Sequence, residues 1–156
     1  MVTMAKPLAN GFPIGAVLMR PHIAHAIAAG DHGTTFGGGP LTCRIAHHVL
    51  GRLGEPRMKE HIDSVSTYLF ERLERISEAF SDMVSAPRGR GLIVGISMRS
   101  APWAGEVVRL ARERGVLFLT AGSDAVRFVP SLIVERAHID EAMDVLESVL
   151  LVLRST

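Results

Sequence analysis

A lysine close to the first residue of the chain is the first candidate for chemistry. Lys6 follows a short apolar stretch and precedes a turn that Gly11, Pro13 and Gly15 punctuate. A turn of this kind fixes the backbone, so the amine can be aimed and partly desolvated, as a nucleophile that forms a Schiff base requires. A solvated lysine near a chain end is the alternative, and the spacing alone does not decide between them.

A loop rich in glycine and threonine is the second candidate. Its sequence, DHGTTFGGG, contains Gly33, Thr34 and Thr35 and runs into a predicted helix that begins at Pro40. Backbone N–H groups, threonine hydroxyls and a helix N-terminus together suit a phosphate group, although such stretches are also common in flexible surface loops. Both interpretations remain open. The sequence lacks the glycine motifs of P-loops and Rossmann folds, so neither nucleotide site is predicted.

An arginine inside an apolar strand is the third candidate. In the segment DAVRFVPSL, strand alternation points Val126 and Phe128 to one face and Arg127 to the other. A solvated strand face explains this pattern. The break at Pro130 also suggests a strand end beside a cleft, where a guanidinium could bind a substrate carboxylate in a bidentate manner.

Composition and charge narrow the classes of protein and partner. The chain has 156 residues, of which 47% are hydrophobic and 21% charged, and its formal net charge is +1. These values favour a folded domain and disfavour disorder or a nucleic-acid-binding surface. The longest apolar run, SVLLVL, is far shorter than the ~18 residues that a membrane span requires. We therefore expect a soluble intracellular protein with no membrane or nucleic-acid partner.

Cysteine and histidine usage argues against metal and disulfide chemistry. The one cysteine, Cys43, excludes an internal disulfide and a cysteine-cluster zinc site, and it indicates a reducing compartment. We expect it to be a small buried side chain rather than a nucleophile. His47 and His48 are adjacent on a predicted helix and face different directions, and the other histidines are scattered. No metal site is predicted.

The elements around the lysine and the loop are short. Residues 14–19 read as a buried strand, and a helix follows from Pro21. A second helix runs from Pro40 to a stop at Gly54, where we place a domain boundary. Because the apolar strand has no evident neighbour to pair with, residues 1–54 are expected to pack poorly unless another chain covers them.

The rest of the chain predicts a small α/β domain of residues 55–156. After Pro56 an apolar stripe at helical spacing extends for about seven turns, and two strands, a helix, two strands and a closing helix follow. This order fits a small antiparallel or mixed sheet covered by helices. The stripe comprises Met58, Ile62, Val65, Leu69, Leu73, Ile76 and Phe80.

Four segments, taken in order and with their separations, carry a family resemblance. They are TMAKPLANGFPIGAVLM, GDHGTTFGGGPLTC, RGRGLIVGI and GVLFLTAGSDAVRFVPSLIV, and they extend across nearly the whole chain. Together they resemble the C-terminal half of the class III aminotransferases, which depend on pyridoxal 5′-phosphate (PLP) and have fold type I. The likeness is greatest to the acetylornithine branch of that family.

The resemblance implies roles for individual residues. The lysine of the AK motif corresponds to Lys6, which would bind the cofactor covalently and then move a proton. The threonine before FGG corresponds to Thr35, with Thr34 and Gly33 beside it, and in the family dimer it reaches the cofactor phosphate of the neighbouring subunit. The arginine of the VRF motif corresponds to Arg127, which would bind the substrate α-carboxylate.

Further correspondences concern structure and completeness. Arg88 of RGRG corresponds to a structural position at the entry to the small-domain sheet, and Gly39 stands where the family usually has asparagine. The first half of the family fold is missing. That half supplies the rest of the phosphate cradle, the ring over the pyridine, the aspartate at the pyridine nitrogen and the arginine for the distal substrate group. The resemblance therefore makes residues 1–54 a remnant of the large PLP-binding domain and residues 55–156 the small domain.

The implied activity is ping-pong transamination between an acetylornithine- or ornithine-type amino acid and the 2-oxoglutarate/glutamate pair, in arginine biosynthesis. It is expected to be weak or absent in this fragment, which would form a homodimer. The location would be cytoplasmic in bacteria and the mitochondrial matrix in eukaryotes. The main alternative is a non-catalytic small-domain module that dimerises or binds a partner. A general phosphate-binding protein is a weaker alternative, because no base-binding signature accompanies the loop.

Overall fold

The computed structural model describes residues 1–155 and divides the chain into two compact units. The first unit comprises Met1–Lys59, and the second begins at Glu60. The boundary expected after residue 54 stays a prediction about which segment folds independently.

The first unit begins with a two-stranded antiparallel ribbon. Strand β1 (Val2–Met4) pairs with β2 (Ala16–Leu18), so that Val2 lies opposite Leu18. The expectation that the apolar strand is buried and has no neighbour is wrong. It has a neighbour in β1, whereas Val17 and Leu18 are 50% and 60% exposed because a ribbon of two strands has too few apolar side chains to cover both of its faces.

Two helices complete the first unit. The short helix α1 (Pro21–Ala24) and the longer α2 (Pro40–Gly54) both begin with proline, as predicted. Proline suits a first helical position because its fixed φ is helical and its missing N–H would have had no helical partner. The buried apolar cluster of this unit is small and comprises Leu8, Ala9 and Ala46.

The long helix α3 (Pro56–Ala79) supplies one wall of the core of the second unit. Four residues of its predicted apolar stripe, and a fifth just after the end of the helix, are at most 6% exposed. This burial confirms that the helical spacing of apolar residues marks the buried face. Those five are Val65, Leu69, Leu73, Ile76 and Phe80.

A four-stranded sheet forms the other layer of the second unit. Its strands are β3 (Arg88–Arg90), β4 (Ile93–Ser97), β5 (Leu119–Ala121) and β6 (Ala125–Phe128). They lie in the order β3-β4-β6-β5, and each neighbouring pair is antiparallel. The antiparallel form of the predicted sheet is therefore the one observed.

Helices α4 (Ala101–Glu113) and α5 (Arg136–Arg154) join α3 against this sheet. One core cluster contains apolar side chains of all three helices together with Val94, Ile96, Val126 and Phe128 of the two central strands. The second unit is thus a sheet with helices packed against its apolar face, and the predicted α/β fold class is confirmed.

A polar cluster ties α3 to α5 at the edge of the core. Arg72 pairs with Asp140 and, at 3.0 Å, with Asp144, and the Tyr68 hydroxyl donates to Asp140 at 2.6 Å. Burial lowers the pKa of Arg72, but hydrogen bonds involving Tyr68 and Asp144 and the charge of Asp140 outweigh this effect, so the pKa is raised. The cluster therefore favours the charged form of the Arg72 guanidinium.

The β3–β4 hairpin depends on a glycine. Gly89 has a φ of 146°, and a Cβ at this position would clash with the Ile93 carbonyl and lie 2.9 Å from Val94 Cα. Only glycine combines this backbone conformation with so close an approach between strands.

We expect Gly89→Ala to lower the free energy of unfolding by about 1–3 kcal/mol, since it adds backbone strain and a steric clash. Gly105→Ala is the matched control, because Gly105 lies inside α4 with open space around its Cα. That change should be neutral or stabilising by up to ~1 kcal/mol. Urea unfolding followed by circular dichroism measures both, and equal effects of the two substitutions would contradict the role given to Gly89.

Candidate cofactor and substrate site

Lys6 lies at the start of a 3₁₀ helix (Lys6–Ala9) that follows β1. Its φ of 41° is in the left-handed region, which is uncommon for a residue other than glycine. Leu8 and Ala9 are 6% and 0% exposed and anchor this turn in the cluster that contains Ala46. Lys6 itself is exposed. The chain therefore fixes the backbone of the lysine, as predicted, but does not by itself desolvate its side chain.

The glycine- and threonine-rich loop folds into a tight turn. The Gly37 N–H donates to the Thr34 carbonyl at 3.4 Å, and a Cβ on Gly37 would clash with the Thr34 methyl group. Gly33, Thr34 and Thr35 are all exposed. The two hydroxyls are thus carried on a compact turn at the surface of the first unit.

The turn leads into the N-terminus of α2. Gly39 is the N-cap of this helix and provides no side-chain hydrogen bond to it. The first backbone N–H groups of a helix have no helical partner and favour an anion. Together with Thr34 and Thr35, they form a donor set whose chemistry fits a phosphate group.

Arg127 lies in the middle of β6 on the exposed side of the sheet. Its neighbours Val126 and Phe128 are 0% and 5% exposed, whereas Arg127 is exposed, which confirms the predicted alternation. In the register, it lies between Gly95 of β4 and Leu119 of β5. Among the described residues no ion pair involves Arg127, so its guanidinium is free to donate hydrogen bonds to an external carboxylate.

Arg88 of β3 belongs to the same row of paired residues, which crosses the four strands as Arg88, Gly95, Arg127 and Leu119. Arg88 lies opposite Gly95, so two exposed arginines are placed on either side of a residue that has no side chain. The sequence did not predict this alignment, because strand register depends on pairing between distant segments.

The candidate residues fall into two groups. Lys6 and the segment Gly33–Thr35 belong to the first unit, and Arg127 and Arg88 belong to the second. Within the first unit, the lysine is on a 3₁₀ turn and the threonines are on the loop before α2.

Other expectations are answered by the same structure. Cys43 is exposed, so the prediction of a buried cysteine is wrong. Of the residues of α2, Ala46 is the buried one, so only the helix face that carries Ala46 is covered. Within residues 1–155 no group of three or more His, Cys, Asp or Glu side chains is placed to hold a metal ion. None of the described helices is long and apolar enough to cross a membrane.

Comparisons with known sequences identify the family. The family model for class-III aminotransferases matches residues 1–150. Acetylornithine aminotransferase from Neurospora crassa is 43% identical over 147 residues, which cover 94% of this chain and 32% of the relative. The Pseudomonas putida acetylornithine aminotransferase is 42% identical over 147 residues, covering 92% of this chain and 36% of the relative. The chain thus spans about a third of the length of these relatives.

Solved structures agree in fold. N-acetylornithine aminotransferase from Stenotrophomonas maltophilia superposes with a TM-score of 0.83 at 33% identity, covering 98% of this chain and 40% of that one. Ornithine aminotransferase from Toxoplasma gondii, solved with PLP at partial occupancy in its active site, gives a TM-score of 0.87 at 26% identity, over 98% of this chain and 36% of that one. The resemblance found in the sequence is therefore confirmed: the chain belongs to the class-III aminotransferase family, whose cofactor is pyridoxal phosphate.

Proposed function

We propose that this chain supplies the cofactor-binding lysine and the carboxylate-binding arginine of an aminotransferase. Its substrates would be an acetylornithine- or ornithine-type amino acid and the 2-oxoglutarate/glutamate pair, in arginine biosynthesis. The observation that carries the proposal is the placement of Lys6 on an anchored turn in a chain that matches the family model over residues 1–150. The acetylornithine substrate is taken from the names of relatives that are about three times as long as this chain.

Residues of the first unit would contact two cofactors of a dimer. The Lys6 amine would bind the aldehyde carbon of one cofactor. By the family resemblance, the Thr34 and Thr35 hydroxyls, with the N–H groups near Gly33 and the α2 N-terminus, would bind the phosphate of the neighbouring subunit's cofactor. When bound, the cofactor supplies an electron sink that weakens the bonds at the substrate Cα.

Lys6 would have a second task as an acid–base group. With cofactor and amino acid bound, the Lys6 Nζ would accept a proton from the substrate Cα and later return it. The left-handed φ of Lys6 and the burial of Ala9 fix where the side chain leaves the backbone. A fixed origin limits the volume that the amine samples and so favours proton transfer at one atom.

Arg127 would orient the amino acid. Its planar guanidinium can donate two parallel hydrogen bonds to the α-carboxylate. The neighbours in its row, Gly95 and Leu119, carry no charge that would compete for the guanidinium. The strand backbone therefore holds the arginine while one side remains open for the ligand.

Covalent labelling tests the role of Lys6, and the chain offers a matched control because Lys6 and Lys59 are its two lysines. After incubation with PLP and reduction with borohydride, we expect mass spectrometry to find a phosphopyridoxyl group on the peptide that contains Lys6. Lys59→Ala should label as the unaltered chain does, whereas Lys6→Ala should lose this label. Equal labelling of Lys6 and Lys59 would contradict the proposal.

Steady-state kinetics tests the role of Arg127 once the part of the family fold that this chain does not cover is supplied in trans from a class III relative. Arg127→Ala should raise KM for amino-acid substrates, corresponding to roughly 2–5 kcal/mol if a desolvated charge pair is lost. Arg88→Ala is the control, because it removes an arginine from the same row and should leave KM nearly unchanged. If Arg88→Ala has the larger effect on KM, the assignment of the carboxylate site is incorrect.

A non-catalytic role in dimerisation or partner binding is the second candidate, and the exposed apolar surface of the first unit favours it. Phe36, Leu41 and Leu18 are 91%, 69% and 60% exposed. Large apolar side chains at this level of exposure favour burial against another polypeptide. A homodimer would use this surface under either function.

Sedimentation velocity over a concentration series tests the homodimer. We expect the dimer fraction to increase with concentration, and the double substitution Phe36→Ser and Leu18→Ser to shift the equilibrium towards monomer. Ile93→Ser, which alters an exposed residue of the second unit, should not. A monomer at every concentration would exclude the dimer.

A further inference from the structure

An open depression lies on the side of helix α2 that faces away from its buried residue, Ala46. Its volume is about 390 Å³, and all but one of its lining residues belong to the helix. At 3.6 residues per turn, these helical residues fall on the half of α2 opposite Ala46, which packs in the apolar cluster of the first unit. The lining residues are Arg44, His47, His48, Gly51, Arg52 and Glu55.

The basic side chains of this face have almost no counter-charge. Helix α2 contains no aspartate or glutamate. Within residues 1–155 the side chains of Arg44, His47 and His48 make no hydrogen bond or ion pair. By contrast, Arg109 of α4 pairs with two glutamates of its own helix, at 2.8 and 2.6 Å. Unlike α4, α2 therefore leaves three exposed basic side chains without a partner.

The spacing makes these basic groups neighbours of one another. Arg44 and His48 are four residues apart, and so are His48 and Arg52. Like charges at this spacing repel each other and destabilise a helix, so protonation of the imidazole has a cost here. Only Arg52 is compensated, by Glu55 at 3.2 Å. An anion among the uncompensated groups would reduce the repulsion between them in addition to being attracted by each.

Gly51 leaves space for such an anion. A Cβ at this position would meet no atom within 4 Å, so the absent side chain opens a gap beside the basic groups. A guanidinium carries five N–H donors and a protonated imidazole carries two, a set that matches the several acceptor oxygens of a phosphate group. The helix dipole opposes an anion only in the last turn, and Arg44, His47 and His48 precede that turn.

The charge of the depression depends on pH through its two histidines. The charges of Arg52 and Glu55 offset each other, so Arg44 supplies the net positive charge at high pH. Imidazoles gain a proton as the pH falls from about 8 to about 5. The depression therefore becomes more positive over this range, and its attraction for an anion increases.

The elements next to α2 add no further charge to the depression. The 3₁₀ helix Lys6–Ala9 packs against α2, and its one ionisable side chain, Lys6, does not line the depression. Arg57 and Lys59 of α3 follow Glu55 along the chain and do not line it either. Among the described residues, its charge is thus decided by the four basic side chains of α2 and one carboxylate.

We propose that this face of α2 binds a phosphate group in its dianionic form, carried by a small phosphate monoester or present as inorganic phosphate. Arg44 and the two imidazoles would donate hydrogen bonds to its oxygens, Arg52 would add positive charge, and the gap at Gly51 would admit the group. The site lies along the side of α2, apart from the threonine-containing turn at its N-terminus. The proposal does not rest on the proposed function, because it requires neither Lys6 nor a cofactor.

Amide chemical shifts of the ¹⁵N-labelled 156-residue chain, followed at about pH 7.5 and constant ionic strength, test the site. Methyl phosphate is mainly a dianion at this pH, dimethyl phosphate has the same core with one charge, and chloride is the control for ionic strength. We expect methyl phosphate to cause saturable shifts at residues 44–52. Dimethyl phosphate should bind there about two- to fivefold more weakly, the range for loss of one exposed charge interaction, and chloride should cause no saturable shift.

A second pair of probes distinguishes the two sources of the phosphate group. Tighter binding of glycerol 3-phosphate than of inorganic phosphate would indicate a phosphate monoester as the ligand. Equal or tighter binding of inorganic phosphate would indicate the free ion. Saturable binding in either order supports the site itself.

The pH dependence of sulfate binding tests the histidines. Sulfate keeps two negative charges between about pH 5.5 and about pH 8, so a change in its affinity reports on the protein. We expect binding about two- to tenfold tighter at the lower pH. The double substitution His47→Gln and His48→Gln should remove this difference. The same double change at His22 and His25, which lie outside the depression, should preserve it.

Substitutions separate the contribution of charge from that of space. Arg44→Gln should weaken methyl phosphate binding about two- to fivefold, whereas Arg20→Gln, which removes an equal charge of the first unit outside the depression, should not. Gly51→Glu should abolish binding by placing a carboxylate in the gap, and Gly51→Ala is its uncharged control. Both changes replace a glycine inside a helix with a better helix former, so both variants should fold.

Four results would overturn the proposal. One is the absence of saturable methyl phosphate shifts at residues 44–52, and another is equal affinity for methyl and dimethyl phosphate. The others are an unchanged sulfate affinity at the two pH values and unchanged methyl phosphate binding in a folded Gly51→Glu variant. None of them affects the labelling of Lys6, so failure of this proposal is distinguishable from failure of the aminotransferase role.

Discussion

Strand alternation in β6 is the constraint on which the second unit depends. Val126 and Phe128 must face the helices, because they complete an apolar layer that α3, α4 and α5 bury. Since neighbouring side chains of a strand point to opposite faces, burial of these two residues forces Arg127 outward. The same interaction that stabilises the fold therefore positions a guanidinium on the open face. A shift of one residue in register would bury the charge and expose an aromatic ring, at a large cost in free energy.

The first unit uses a different means to position its lysine. Its buried cluster contains only one leucine and two alanines, and the least exposed of them is Ala9, which is 0% exposed. A turn anchored by an alanine can lie close to α2 without a large core, and this closeness fixes the residues just before it. Lys6 is thus held by its backbone, whereas its side chain depends on other polypeptide surface for desolvation. Unlike the second unit, this unit obtains little free energy from its own packing.

The sequence predicted best those features that depend on residues within a single helix or strand. The stripe of α3, the helix starts at Pro21 and Pro40 and the alternation around Arg127 all follow from local periodicity and backbone chemistry, and the structure confirms them. The fold class followed from the order of these elements. The roles of Lys6, Gly33, Thr34, Thr35 and Arg127 came instead from the family resemblance and remain proposals.

What the sequence did not predict depends on contacts between distant segments. Val17 was read as buried because its neighbours are apolar, yet burial requires a covering layer, and the ribbon of β1 and β2 provides none. Cys43 was assigned to the core by residue type, although α2 contacts other elements mainly through the face that carries Ala46. The alignment of Arg88 with Arg127 likewise arises from strand register, which local patterns do not encode.

The neighbours of Arg127 in the sheet have a physical consequence for any ligand that it binds. A guanidinium is weakly hydrated and planar, so it can contact apolar surface along its stem and a carboxylate at its end at the same time. Towards β4 its neighbour is Gly95, which leaves space for a polar ligand, and towards β5 its neighbour is Leu119, an apolar side chain that is 50% exposed. The apolar side adds transfer free energy only to ligands that carry a hydrocarbon chain. In the role proposed for Arg127, selectivity would therefore be decided by what accompanies the carboxylate, since the charge pair itself is common to every carboxylate ligand.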